Sequence, residues 1–311
     1  MRALGITAYR FTGEIAVTSS SNMPHARPRR SVIYMPSSNA RALEKAKSLP
    51  ADGVIFDLED AVAPDAKIEA RTAAVNAAQS GAYGKREVLI RVNSLDAPWG
   101  PDDIAAAASS GADGVVLPKV NCPGDVQRAD KMLRNAGAPD ALALWAMIET
   151  PAGVLSTANI AAANPRLSGL IVGTADLAKD LHCAHPADRG PMLLALQTCV
   201  LAARAHDLFV LDGVHIDLDD EQSFEAVCHQ GKALGFDGKT LIHPKQIDTA
   251  NSVFGPSDDA VRNAHRLVEA HKEALAAGKG ITVVDGRLVE SLHVREAERL
   301  IAAANLISDL E

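Results

Sequence analysis

Short apolar runs rich in β-branched residues alternate with longer, alanine-rich segments from residue 31 onward. The apolar runs occupy residues 31–36, 53–58, 87–92, 113–118, 142–148, 167–173, 208–214 and 237–244. Most of the segments between them carry apolar residues at helical spacing. Buried strands that alternate with helices are typical of a parallel sheet made of βα units, and eight such units close a barrel. The pattern therefore predicts an α/β fold, a TIM (β/α)8 barrel.

Two segments do not follow the repeating pattern. The N-terminal one is polar, aperiodic and rich in Ser and Arg, so we expect a flexible arm without a functional role. After the eighth run, Ser257 predicts the start of a helix and Gly278 its end, and a short strand pair and a final helix follow. We therefore divide the chain into an arm (1–27), a barrel (28–250) and a C-terminal lid and oligomerisation segment (251–311).

Composition narrows the classes of function. The chain has 31 Lys and Arg against 39 Asp and Glu, a formal net charge of −8, and so lacks the basic surface that nucleic-acid binding needs. Its four cysteines form no Cys-x-x-Cys pair, which argues against a disulfide framework or a zinc site. The N-terminal segment lacks the unbroken apolar core that is typical of a signal peptide, and no apolar stretch of about 18 residues occurs in the sequence. We expect a cytoplasmic protein with no membrane or nucleic-acid partner.

Polar and charged residues follow most of the predicted strands. In a TIM barrel the carboxyl ends of the strands meet at one face, where the βα loops carry the active site. The residues at these positions include Asp57, Glu59, Asp60, Arg91, Asn93, Lys119, Glu149, Asp176, Asp212 and His243. We expect the active site at this face, although strand ends are also polar for purely structural reasons.

Glu149 and Asp176 follow neighbouring predicted strands, the fifth and the sixth. Thr150 and Pro151 are typical of an N-cap and a first helical residue, which would fix Glu149 at the rim. Two carboxylates suit Mg²⁺, which prefers oxygen ligands and keeps positions open for water and substrate. The pair is a candidate magnesium site, and the alternative is that each residue only caps a helix.

Arg91 ends an apolar strand, where an unpaired arginine would be costly. A substrate carboxylate would match its planar guanidinium, and the alternative is a structural ion pair with Glu59 or Asp60. Together with Asp57, these two acids bring more negative charge than one packed position holds without a cation. They could orient metal-bound water, pair with Arg91 or partly face solvent.

Three further basic residues are candidate contacts to an anionic substrate. Arg41 and Lys45 follow the first strand at i, i+4 spacing and could reach a phosphate group, or form a solvated helix face. Lys119 follows the fourth strand, where a desolvated lysine can form a Schiff base. A metal-dependent site makes that chemistry unnecessary, so we favour a positioning or ion-pair role.

Several segments carry, in order, the resemblance to a known family. They read RSVIYMPSSNARALEKAKSLPADGVIFDLEDAVAPDAKIEAR, IRVNSLD, GVVLPKV, MIETPAGV, GTADLAKDL and LGFDGKTLIHPKQID. The chain resembles the citrate lyase beta subunit-like proteins of the HpcH/HpaI aldolase/citrate lyase family, which includes malyl-CoA and citramalyl-CoA lyases and malyl-CoA thioesterases. The resemblance covers about residues 29–306. It implies a TIM barrel, Mg²⁺, acyl-CoA substrates, and a homotrimer or hexamer in which one subunit's lid closes over its neighbour's site.

The resemblance also implies roles for individual residues. It makes Glu149 and Asp176 the metal ligands, Arg91 the contact to a bound oxo acid, Glu59 and Asp60 the supports of the metal waters, and Arg41 and Lys45 the contacts toward the CoA phosphates. Glu290 lies where the lyases usually have a catalytic Asp. It keeps the carboxylate but adds a methylene, and placement errors of about 1 Å can cost about a hundredfold in rate.

These observations lead us to expect a Mg²⁺-dependent carbon–carbon lyase. It would reversibly cleave a short 3-hydroxyacyl-CoA of the malyl-CoA or citramalyl-CoA type to acetyl-CoA and a 2-oxo acid, glyoxylate or pyruvate. Glu290 of a partner subunit would exchange the proton with the acetyl methyl carbon. The alternatives are an acyl-CoA thioester hydrolase with the same site, and a citrate lyase beta subunit that acts on a carrier-bound citryl group.

Overall fold

The computed structural model describes residues 27–310, and eight parallel strands form its centre. The strands pair in sequence order, and β1 also pairs with β8, so the sheet closes on itself. They are β1 (Ser31–Pro36), β2 (Gly53–Asp57), β3 (Glu87–Arg91), β4 (Gly114–Leu117), β5 (Ala143–Ile148), β6 (Leu167–Val172), β7 (Phe209–Asp212) and β8 (Gly238–Leu241). The predicted TIM barrel is confirmed. Nearly all of the predicted N-terminal arm lies outside the described residues.

Helices follow the strands and surround the barrel. They are α1 (Ala40–Ala46), α2 (Lys67–Gln79), α3 (Gly100–Ala108), α4 (Pro123–Asn135), α5 (Pro151–Ala161), α6 (Thr174–Asp180), α7 (Leu193–Ala205), α8 (Glu221–Leu234), α9 (Ile247–Phe254), α10 (Asp258–Ala276) and α11 (Ser291–Leu310). The sequence pattern did not identify α6 and α9. They have seven and eight residues, about two turns each.

Two apolar layers hold the barrel together. Alternate strand residues fill its interior, namely Val32, Tyr34, Ile55, Leu89, Val116, Trp145, Met147, Ile171 and Leu211. A larger cluster lies between the strands and the helices. At the amino ends of the strands, Arg29 donates hydrogen bonds of 2.6 and 2.7 Å to Glu87, and its guanidinium lies 4.0 Å from the Phe209 ring. These contacts fill the amino end of the barrel interior.

The C-terminal segment forms a separate layer beside the barrel. Helices α10 and α11 pack against each other, and between them in sequence lies the antiparallel hairpin of β9 (Thr282–Val284) and β10 (Arg287–Val289). Ser257 Oγ caps α10 by accepting a hydrogen bond from the Ala260 N–H, as the sequence predicted. Lys85 Nζ donates to the Asp309 carbonyl, so α11 ends near the amino end of β3.

None of the helices within residues 27–310 is both long enough and apolar enough to cross a bilayer.

Candidate active site

A cavity of about 390 Å³ lies at the carboxyl ends of the barrel strands. Five charged residues that the sequence placed at strand ends line it, namely Asp57, Asp60, Arg91, Glu149 and Asp176. Glu59 and Lys119 form ion pairs with members of this group. The fold therefore brings together seven residues that are spread over 120 positions of the chain.

Glu149 lies at the end of β5 and is only 1% exposed. Its position is fixed by the predicted helix start, since Thr150 Oγ1 accepts a hydrogen bond from the Gly153 N–H. Glu149 Oε1 accepts a 2.7 Å hydrogen bond from the Lys119 N–H, and Oε2 accepts none among the described residues. A Cβ at position 173 would come within 2.4 Å of Oε2, so the glycine there makes room for the carboxylate.

The Glu149 carboxylate is held in a setting that disfavours its charge. Burial, followed by the negative charge of Glu59, raises its pKa from 4.5 to about 7. The charge of Asp176, in the first turn of α6, acts in the same direction, which indicates that the two carboxylates face a common space. A bound cation would remove this penalty.

The donor set of this pair fits Mg²⁺. Within residues 27–310 no group of three or more His, Cys, Asp or Glu side chains could hold a metal ion. Mg²⁺ is commonly held by one or two carboxylates, with waters and substrate oxygens completing its octahedron, so two are enough. Glu149 offers the oxygen without a hydrogen bond, and Asp176 is partly exposed to the cavity.

Arg91 is bound mainly to Asp57. Its Nε and Nη2 donate to the two Asp57 carboxylate oxygens at 2.7 Å each, and Nη1 lies 3.0 Å from Glu59 Oε2. Asp60 is farther away, at 3.8 Å, and is largely exposed. Only the Nη1 edge therefore remains for a substrate carboxylate, and that contact stays a prediction.

Lys119 forms ion pairs rather than standing as a free amine. Its Nζ binds Glu59 and lies 3.9 Å from oxygens of both Asp60 and Asp176. Although partial burial pulls the pKa of Lys119 down, the hydrogen bond to Glu59 raises it above its ordinary value. A lysine that is held protonated is a poor nucleophile, so the geometry favours the ion-pair role over a Schiff base.

A buried lysine supports the acidic segment after β2. Lys67 Nζ donates to the carbonyls of Leu58 and Glu59 at 2.8 and 2.7 Å, and to Asn93 Oδ1 at 2.7 Å. Asn93 Nδ2 in turn donates to the Leu58 carbonyl and to Asp103. Sequence reasoning missed Lys67, because its position within a helix gives no sign that it reaches back to the preceding strand.

Three of the predicted site residues neither line the cavity nor form ion pairs with the residues around it. Arg41 and Lys45 are exposed on α1, so their contact with CoA phosphates stays a prediction. Glu290 follows β10 in the C-terminal segment, where its N–H donates to His293 Nδ1 at 3.1 Å. It lies outside this cavity, so a role at a partner subunit's cavity also stays a prediction.

Tyr34 is a site residue that the sequence analysis did not single out. It lines the cavity, and the Arg91 guanidinium carbon lies 4.8 Å from its ring. Its hydroxyl is enclosed and has no hydrogen-bond partner among the described residues, and burial raises its pKa. The signal in the sequence was a single phenol among the apolar residues of the first strand.

Removing the Tyr34 hydroxyl is expected to stabilise the ligand-free protein. An enclosed, unpartnered hydroxyl carries a desolvation penalty, so Tyr34→Phe should raise the free energy of unfolding by about 1 kcal/mol. Tyr83 is the matched control, since it is also a buried tyrosine but its hydroxyl donates to the Leu43 carbonyl at 3.0 Å. Tyr83→Phe should lower the free energy by about 1 kcal/mol. Urea denaturation of both variants measures this, and a destabilised Tyr34→Phe would contradict it.

Mg²⁺ binding is expected to depend on pH through Glu149. Since this carboxyl has a pKa of about 7 without metal, binding at lower pH must displace its proton. The Mg²⁺ affinity should fall about tenfold for each pH unit below 7 and level off above it. Calorimetric titration with Mg²⁺ in buffers of different ionisation enthalpy should detect one released proton at pH 6 and almost none at pH 8.5. An affinity that stays constant from pH 5.5 to 8 would contradict the assignment.

The chain is similar to known proteins along most of its length. The model of the HpcH/HpaI aldolase/citrate lyase family matches residues 30–244. The chain is 47% identical, over 283 residues, to a (3S)-malyl-CoA thioesterase of Cereibacter sphaeroides, which covers 91% of this chain and 97% of that protein. It is 35% identical to an L-malyl-CoA/beta-methylmalyl-CoA lyase of the same species, with coverage of 92% and 97%.

A solved structure shows the same relationship. The protein CitE of Mycobacterium tuberculosis, in complex with magnesium, acetoacetate and coenzyme A, superimposes with a TM-score of 0.73 and 28% sequence identity. The match covers 90% of this chain and 99% of that one. The similarity thus extends beyond the residues that the family model matches.

Proposed function

This chain belongs to the HpcH/HpaI aldolase/citrate lyase family, and we propose that it is a Mg²⁺-dependent thioesterase for a short hydroxy-dicarboxylyl-CoA such as (3S)-malyl-CoA. The observation that carries the proposal is the 47% identity to a (3S)-malyl-CoA thioesterase across 97% of that protein. We favour hydrolysis over the carbon–carbon cleavage expected from the sequence, because the identity to the lyase relative is lower, at 35%.

Glu149 and Asp176 would hold the metal ion. The CitE structure that contains magnesium supports this cofactor for the family. Bound Mg²⁺ supplies a Lewis acid for the oxygens of the substrate and lowers the cost of negative charge that develops on them. Glu149 contributes by presenting Oε2, which is free of hydrogen bonds, in the space that Gly173 leaves open.

Arg91 would bind the free carboxylate of the hydroxy acid. Two hydrogen bonds to Asp57 fix the plane of the guanidinium, which leaves Nη1 as the donor that faces the other acids of the site. A guanidinium fixed in this way loses little conformational entropy when it binds an anion. Substrate binding would thus exchange part of the Glu59 contact for a substrate oxygen.

Glu59 and Asp60 would orient the attacking water. Burial raises the pKa of Glu59 against the pull of Arg91, which makes this carboxylate a stronger base than an exposed one. The water oxygen bonds to the thioester carbon and its proton passes to a carboxylate. The carbon–sulfur bond breaks, and the CoA thiolate takes up a proton, giving malate and free CoA. Arg41 and Lys45 would contact the CoA phosphates as the substrate enters.

A product assay tests the proposed reaction. Purified protein with Mg²⁺ and (3S)-malyl-CoA in H₂¹⁸O should release free CoA and malate with one ¹⁸O in a carboxyl group, measured by mass spectrometry. Acetyl-CoA and glyoxylate in equal amounts would instead identify a lyase. No product of either kind would point to a carrier-bound substrate, the third function that the sequence allowed.

The lyase is the second candidate, and Glu290 is the residue that favours it. The lid carboxylate is retained, and the lyase relative is similar along 97% of its length. If the protein is a lyase, a homotrimer or hexamer would bring Glu290 of one subunit to the cavity of another. Glu290 would then exchange the proton with the methyl carbon of acetyl-CoA.

Glu290→Gln is expected to separate the two reactions. If the chain cleaves carbon–carbon bonds, the variant should form acetyl-CoA and glyoxylate about a hundredfold more slowly, because the acid/base is gone. Hydrolysis should stay within about twofold, since that step draws on Glu59 and Asp60. Glu298→Gln, an exposed position on α11, the helix that follows Glu290, serves as the control. If Glu290→Gln slows the release of free CoA as much as it slows the formation of acetyl-CoA and glyoxylate, this division of roles is wrong.

A further inference from the structure

Lys119 supplies a positive charge to the carboxylates of the cavity. Its side chain is 40% exposed, binds Glu59, and lies 3.9 Å from Asp60 Oδ1 and Asp176 Oδ2. Within residues 27–310, no other lysine, arginine or histidine nitrogen lies within 4 Å of the Asp176 carboxylate. Lys119 is therefore the cationic side chain nearest to the Asp176 carboxylate in the described part of the chain.

The backbone of Lys119 also contacts a carboxylate of the cavity. Its φ of 52° is left-handed, a conformation that residues with a side chain adopt only where surrounding contacts compensate. This bend turns the Lys119 N–H toward Glu149 Oε1, at 2.7 Å, while the side-chain Nζ lies 3.9 Å from Asp176 Oδ2. One residue thus contacts both carboxylates that we assign as metal ligands.

The charge balance of the site explains why a cation is needed there. Five carboxylates meet at the cavity, those of Asp57, Glu59, Asp60, Glu149 and Asp176. Two of their cationic neighbours are Arg91 and Lys119, and Arg91 is committed to Asp57 by two hydrogen bonds. Like charges in a partly enclosed space repel strongly, so the metal-free cavity needs a mobile positive charge.

We propose that Lys119 is the resident counter-ion of the metal site, a positioning residue that neutralises Asp176 in the metal-free protein and gives way when Mg²⁺ binds. The ammonium would then keep its contact with Glu59 and leave Asp176 to the ion. The inference rests on the metal ligands assigned in the proposed function, but not on which reaction the site performs. Because the ammonium competes with Mg²⁺ for Asp176 and repels it, Lys119 weakens metal affinity and favours exchange of the ion.

Lys119→Met tests this directly, because it removes the charge and keeps most of the side-chain length. Titration of the metal-free protein with Mg²⁺ alone, at pH 8 and low ionic strength, should show binding that is about tenfold tighter than in the unmodified protein. The Tm in EDTA should fall, since the carboxylates lose their counter-ion, and saturating Mg²⁺ should restore it. Lys119→Arg keeps the charge and should stay within about threefold of the original affinity.

Lys245→Met is the matched control. Lys245 also follows a barrel strand, is 38% exposed, and lies 3.7 Å from a single carboxylate oxygen of Asp219. Its removal should leave the Mg²⁺ affinity unchanged within about twofold. A general effect of net charge on Mg²⁺ binding would appear in both variants, whereas the proposed competition appears only at Lys119.

Other results would contradict the role of Lys119 as a counter-ion. Weaker or unchanged Mg²⁺ binding in Lys119→Met overturns the proposal, as does a Tm loss of equal size in EDTA and in Mg²⁺, which marks a purely structural role. Should Lys119→Met fail to fold, Lys119→Gln takes its place with the same expected tightening. If the unmodified protein binds no Mg²⁺, the metal site and this proposal fall together. If Lys119→Met binds Mg²⁺ more tightly but the unmodified protein does not hydrolyse malyl-CoA, the proposed function is wrong. The role of Lys119 as a counter-ion is then still supported.

Discussion

Glu149→Gln is expected to abolish Mg²⁺ binding and to lower kcat/KM by at least about a thousandfold, or about 4 kcal/mol of transition-state stabilisation. The amide keeps the size of the side chain but loses the charge that holds the ion. Asp176→Asn should cause a loss of similar size, because it removes the other of the two carboxylates that would hold the ion. Calorimetric titration with Mg²⁺ and the product assay measure the two effects separately.

The same Glu149→Gln change is expected to stabilise the metal-free protein. The Glu149 pKa is about 7 in the folded state and near 4.5 when unfolded, so the folded state binds a proton more tightly. Stability therefore falls as pH rises from about 4.5 through 7, by about 3 kcal/mol in total. Glutamine avoids this loss, so urea denaturation in EDTA should show the gain at pH 8 and little difference at pH 4.

Glu87→Gln is the control for both effects of the Glu149 substitution. Glu87 is also a buried carboxylate on a barrel strand, but it lies at the opposite end and binds Arg29 through two hydrogen bonds. Breaking that pair should lower the free energy of unfolding by about 3 kcal/mol and leave Mg²⁺ binding intact. A Glu149→Gln protein that keeps Mg²⁺-dependent turnover would remove Glu149 from the metal site.

The sequence predicted the architecture because eight buried strands and the helices between them each leave a strong local signal. It also predicted which residues meet, since parallel strands bring all their carboxyl ends to one face. It could not predict that Arg91 donates two hydrogen bonds to Asp57 and reaches Glu59 only through Nη1, because these acids lie within four positions of one another. Which of these neighbouring acids binds the arginine depends on how their side chains pack.

The sequence also could not predict whether a side chain at the end of a strand points into the barrel or away from it. Asp57 lies two positions after the inward-facing Ile55 and so points into the barrel, whereas Asp212 follows directly after the inward-facing Leu211 and points outward. A one-residue offset reverses the face of a strand residue. Parallel strands that are buried on both sides show no alternation of polar and apolar residues, so the sequence gives no sign of the offset.

Asp212 is consequently part of an ion cluster between the sheet and α8. Arg189 Nη1 lies 2.7 Å from each Asp212 oxygen, and Lys239 Nζ lies 3.0 Å from Oδ2, with all three side chains buried. A Cβ at position 231 would come within 2.7 Å of Oδ2, so Gly231 of α8 makes room for the carboxylate. Although burial opposes it, the charges of Lys239 and Arg189 hold the pKa of Asp212 below its usual range.

Asp212→Asn is expected to lower the free energy of unfolding by about 3 to 5 kcal/mol, because it leaves two buried cations without their anion. Urea denaturation at pH 7 measures this, and Asp259→Asn, which breaks the exposed pair with Arg262 on α10, should cause no measurable change. The Mg²⁺ affinity of folded Asp212→Asn should match that of the unmodified protein, since this carboxylate points away from the cavity. A loss below about 1 kcal/mol would mean that Lys239 gives up its proton in the variant, and the stability difference should then widen as pH is lowered.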